Sequence, residues 1–187
     1  MDPSQAPDPN EDSTATSLAL CDDLTFRALI DSGAASAEEC RQAAETCRIS
    51  RGSGIRIDPL LAVATVQSKD REPSPEEITL LAESTAATLS QAPPLIPFAG
   101  QLIIPYAFYE TFPRVHRLAA DLLAPVIYSE DADSLGIASV NPLAAKVMAD
   151  AASAAVKQQM GTTPFLTVVR MDPESWNAAC RKHFGNT

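Results

Sequence analysis

The chain has few of the residue types on which most site chemistry depends. Its 187 residues include two histidines, His116 and His183, one tryptophan, three tyrosines and six phenylalanines. The sequence has no GxSxG, HExxH, CxxC, GxxxxGK[S/T] or GxGxxG pattern. That removes the sequence signatures of the commoner hydrolase, metalloprotease, P-loop and dinucleotide sites. Basic residues are scarce as well, with Lys+Arg at 14 against Asp+Glu at 24, a formal charge of −10 and a pI of about 4.6. Binding to nucleic acid or anionic lipid depends on neutralising phosphates with Lys and Arg. Nucleic acid is therefore excluded as a partner class, and no basic run interleaved with aromatics offsets the deficit.

The cysteines Cys21, Cys40, Cys47 and Cys180 lie in helical patterns and lack the dense spacing of a disulfide framework. They read as buried thiols in a reducing compartment. Cys180 and His183 share a helix face, as do Cys40 and Cys47. Structural zinc normally takes paired ligands from a tight turn, so no metal and no cofactor are expected. The N-terminus has neither the basic nor the apolar region of a secretory signal, and a cytoplasmic protein is expected.

Residues 1–16 carry Pro3, Pro7 and Pro9 with Asp2, Asp8, Glu11 and Asp12, and no large apolar residue beyond Met1. Such a segment buries too little to offset its ordering entropy and reads as a disordered acidic, proline-rich tail. Residues 17–187 then form a single globular domain. Ser17 to Asp31 has helical spacing, with Gly33 placed as a C-terminal cap. Ser36 and Glu39 make a capping box for a helix whose inner face is Cys40, Ala43, Ala44 and Cys47. Asp58-Pro59 opens a short helix. Ser74 and Glu77 make a second capping box, before a face of Ile78, Leu81, Ala82, Thr85 and Leu89.

The C-terminal third changes character. Val126–Tyr128 and Gly136–Val140 read as strands across an acidic loop, and Asn141-Pro142 starts an Ala-rich helix that Gly161 ends. Phe165–Val169 is a nearly continuous apolar run, the pattern of a strand buried on both faces. Asp172-Pro173 caps a last helix with Trp176, Ala179, Cys180 and Phe184 inward and Arg181, Lys182 and His183 in a final turn that suits its dipole. The predicted fold is mixed α/β, a helical N-terminal half packed on a small sheet that contains a C-terminal βαβ-α unit.

Three stretches are candidate sites. The first is Ala92–Tyr109, where Gln101 is the one polar side chain apart from tyrosine hydroxyls. Pro93, Pro94, Pro97 and Pro105 argue against a membrane span, because a helix in lipid would lose internal hydrogen bonds. Half of the chain's aromatics fall between 98 and 112. Phe98, Tyr106, Phe108, Tyr109 and Phe112 read as core, or as a hydrophobic interface or pocket wall. A short strand is expected at Leu102–Ile104. The second stretch is the turn Arg51-Gly52-Ser53-Gly54, in which Arg51, Ser53 and Arg56 could hold a phosphate or carboxylate. The third is Tyr109, Glu110 and His116, from which an acid–base site could be assembled. No catalytic signature accompanies them. The leading expectation is a non-catalytic protein-interaction module whose partner is another protein or itself, as a homodimer. The alternatives are a small-anion binder and an enzyme using Glu110 and His116.

Overall fold

The computed structural model describes residues 9–69, 71–90, 93–96, 104–130 and 133–185. Its helices are α1 (Pro9–Asp31), α2 (Ala37–Gly52), α3 (Pro59–Ser68), α4 (Pro75–Ala86), α5 (Tyr106–Thr111), α6 (Pro113–Leu122), α7 (Pro142–Met160) and α8 (Pro173–Phe184). Its strands are β1 (Leu95–Ile96), β2 (Val126–Glu130), β3 (Ser134–Ser139) and β4 (Phe165–Met171). They form one mixed sheet in the order β1-β4-β3-β2. The β2–β3 pair is antiparallel, and β4 runs parallel to both β3 and β1. The fold is mixed α/β, and β3-α7-β4 followed by α8 is the expected βαβ-α unit.

Local chemistry sets the helix starts. The Ser36 and Ser74 hydroxyls each accept from the N–H of the glutamate three residues on, which reaches back to the cap's own N–H. Asp58, Asn141 and Asp172 cap α3, α7 and α8 through side-chain oxygens, each with a proline at the first helical position. Gly161 ends α7 at φ 75°, a left-handed conformation that glycine adopts without a Cβ clash.

Strand alternation divides the core between the two faces of the sheet. Leu135 and Ile137 join a cluster with Phe108, Phe112, Leu118, Leu122, Met148 and Val156, from α5, α6 and α7. Ala138, Val140, Val169 and Met171 face a second cluster with Leu60, Val63, Leu81, Trp176 and Ala179, from α3, α4 and α8. Helix α1 ties the two together, placing Cys21 in the first and Leu29 in the second.

Several expectations are corrected. Helix α1 opens at Pro9, so the part of the supposed disordered tail from residue 9 onward is helical; residues 1–8 lie outside the described residues. A proline at a helix start forfeits no hydrogen bond, so Pro9 does not oppose this. Ala44 is exposed, because only Cys40, Ala43 and Cys47 of the expected stripe face the neighbouring helices. The short strand is Leu95–Ile96; Ile104 is not in a strand, and residues 102 and 103 are outside the described set. Phe165 is exposed, because it stands at the entry of β4 beyond the packed faces. His183 is buried and faces the core, whereas Phe184 is only partly covered.

Candidate functional site

The turn after α2 satisfies itself. The Ser53 N–H donates to the Ser50 carbonyl, Gly54 N–H to Arg51 and Ile55 N–H to Ser50, so these amides are not directed at a ligand. Arg51 and Arg56 both donate to one carboxylate, Asp22 of α1, at 3.0 and 3.1 Å. Ser53 is exposed. The structure thus brings Arg51 and Arg56 together, but around an internal anion.

Behind that pair lies a buried polar node that the sequence reading missed. Asn141 Nδ2 donates to Thr25 Oγ1 at 3.0 Å and to the two Asp58 carboxylate oxygens at 3.2 and 3.4 Å. Asp58 Oδ1 also accepts from Leu60 N–H, and Asn141 Oδ1 from Leu143 N–H. The capping residues of α3 and α7 are therefore joined to each other and to α1. Burial pushes the Asp58 carboxyl up to about 6, against the opposing pull of Arg56, the Leu60 amide and Asn141. The capping signals at Asp58-Pro59 and Asn141-Pro142 were visible in the sequence; their meeting was not.

The acid–base trio does not assemble. Tyr109 is buried, and its ring packs on that of His116 with centroids 4.3 Å apart, whereas Glu110 is exposed. Consecutive helical residues point about 100° apart, and on α5 this turns Tyr109 inward and Glu110 to solvent. The Tyr109 hydroxyl is already engaged: it accepts from Val126 N–H at 2.9 Å and lies 3.1 Å from His183 Nδ1. Burial, with Lys182 and His116 nearby, holds His183 down to about 4. His183, unlike Glu110, is the titratable partner Tyr109 has.

All four cysteines are free and buried. Burial pushes the Cys47 thiol up to about 11 and Cys180 to about 12, and raises Cys21 and Cys40 as well. None has the lowered pKa of a reactive thiol. Among the described residues, no group of three or more His, Cys, Asp or Glu is arranged to hold a metal, and no helix is long and apolar enough to cross a membrane.

The aromatic stretch divides between core and surface. Phe108, Tyr109 and Phe112 are at most 6 % exposed and belong to the core cluster, and Phe108 and Phe112 at the same time line a surface cleft. Phe108 and Tyr109 lie on α5 and Phe112 at its junction with α6, and all three share a cluster with apolar residues of α6 and α7. Tyr106 is 68 % exposed, and Phe98 lies outside the described residues. Beside Tyr106 opens a cleft of about 420 Å³ lined by Pro105, Ala107, Phe108, Thr111, Phe112, Ser129 and Met160. Five of those seven side chains are apolar, and the two hydroxyl residues are the only polar ones. Among the described residues, no titratable group lines it, and its polar atoms are the hydroxyls of Thr111 and Ser129.

No protein-family model matches the chain, and neither does any curated protein or solved structure.

Proposed function

We propose that the protein is a non-catalytic interaction module that self-associates through the face formed by α5 and the C-terminal end of α7. One observation carries this reading: an open apolar cleft with a largely exposed tyrosine beside it and Met160, half exposed, on its rim. Aromatic residues and methionine concentrate at protein interfaces because they bury much apolar area at low entropic cost. The competing readings have weaker support. The arginines proposed for an external anion are engaged by Asp22, and Glu110 stands apart from Tyr109 and His116. The acidic surface and the absence of catalytic signatures agree with a cytoplasmic protein whose partner is a protein.

The test is the mass in solution, measured by light scattering across a dilution series from high to low micromolar. A dimer that dissociates on dilution, and that Ala107→Arg shifts to monomer with the circular dichroism spectrum unchanged, is the expected result. Wild-type protein that stays monomeric at high micromolar concentration overturns the reading.

A further inference from the structure

The cleft has a fitting occupant on the same face of the same molecule, and its two helices carry an acid and a base one turn from lining residues. Tyr106 lies between two cleft-lining residues, Pro105 and Ala107, and projects into solvent. Glu110 is one helical turn beyond Ala107 on α5, and Lys157 is one turn before Met160 on α7. Residues three apart on a helix are surface neighbours, so an acid stands beside Ala107 and a base beside Met160. Both are exposed, and among the described residues neither has an ion-pair partner within the protomer. A chain carrying −10 repels its own copies, so it associates best through a face where the charges cancel.

We infer that two copies pair about a twofold axis at this face, each inserting Tyr106 into the other's cleft and setting Glu110 against the partner subunit's Lys157. In a twofold interface one patch serves both sides, so each contact occurs twice; a projection next to a cleft of matching character meets that requirement. Tyrosine suits the role, since its ring can be buried among Phe108, Phe112 and Met160 while its hydroxyl reaches Thr111 or Ser129. The cleft is then incomplete in the isolated protomer, because its aromatic filling comes from the second copy. Each Glu110–Lys157 pair gives register and discrimination more than affinity.

This rests on the self-association reading, and the experiment separates the two. Dimer dissociation constants are measured by sedimentation equilibrium for wild type, Tyr106→Ala, Glu110→Lys, Lys157→Glu and the Glu110→Lys/Lys157→Glu double variant. Tyr106→Ala is expected to weaken the dimer at least tenfold. Each single charge reversal should weaken it several-fold, and the double variant, which restores opposite charges across the axis, should recover to near wild type. A double variant as weak as the worse single, or a Tyr106→Ala dimer of unchanged strength, overturns the inference while a wild-type dimer leaves self-association standing. A monomeric wild type overturns both. All three side chains are exposed, and circular dichroism on each variant confirms the fold; if Tyr106→Ala misfolds, the charge-swap recovery alone decides.

Discussion

Tyr109 and His183, 74 positions apart, are hydrogen-bonded side chain to side chain in the core, the phenol oxygen 3.1 Å from Nδ1. The same phenol oxygen caps the N–H of Val126, the first residue of β2, at 2.9 Å. One hydroxyl therefore joins α5, β2 and α8. Tyr109→Phe keeps the ring stacked on His116 but leaves a buried N–H and a buried ring nitrogen unpaired. It is expected to cost about 1–3 kcal/mol, read as a lower urea midpoint with an unchanged slope.

The pH response of stability has two opposing parts. His183 is held at about 4 in the folded protein against an ordinary 6.5, so between those values the unfolded chain takes the proton first. Its contribution to stability is therefore present above pH 6.5 and lost as pH falls toward 4. Asp58, raised from 3.8 to about 6, has the reverse sign: its contribution is present below pH 3.8 and lost as pH rises through 6. His183→Gln removes the first part alone. Relative to wild type, the variant should gain stability between pH 6.5 and 4.5, by no more than about 1.4 kcal/mol per pH unit. Urea midpoints at both pH values check this; a difference between the two proteins that does not move with pH would show that His183 is not held neutral.

Asn141→Asp preserves the cap on α7 but replaces the amide that donates to Asp58 with a second carboxylate. Two buried carboxylates in contact cannot both ionise, and the change is expected to cost about 3–5 kcal/mol at pH 7. Part of that loss should return at pH 5, where one of the pair holds a proton. Thermal melts at the two pH values test it.

Phe108 and Tyr106 should behave oppositely although they are two residues apart. Phe108, 5 % exposed in the core cluster, cannot accept a charge, and Phe108→Glu is expected to abolish the folded circular dichroism spectrum. Tyr106→Glu, on the surface, should leave the protomer's melting temperature within about 2 °C when measured below the dimer dissociation constant.

Trp176 is 3 % exposed, and its indole N–H donates at 2.8 Å to the carbonyl of Leu123. That carbonyl belongs to a non-glycine residue held at φ 53°, where α6 turns toward β2. Trp176→Ala should cost about 3–5 kcal/mol. Native fluorescence should be blue-shifted and resist iodide quenching; a red-shifted, freely quenched spectrum would contradict the burial.

The sequence alone determined the features that are written locally. Five helices, α2, α3, α4, α7 and α8, are capped by a side chain two or three residues from the amide it satisfies, so Ser36, Asp58, Ser74, Asn141 and Asp172 mark them without reference to the rest of the chain. The order β3-α7-β4-α8 follows from two short apolar runs separated by a long Ala-rich stretch with a capped start and a glycine stop, and followed by a second capped start. Only the tertiary structure decided which polar groups face inward. Asp58 meets Asn141 across 83 positions and Tyr109 meets His183 across 74. Nothing in the residues adjacent to any of them encodes the other. The aromatic stretch was ambiguous for the same reason. Apolarity states that a side chain gains by leaving water, but not whether its own core or a second surface covers it. For Phe108, Tyr109 and Phe112 the packing of α6 and α7 supplies that cover, and for Tyr106 no part of the described protomer does.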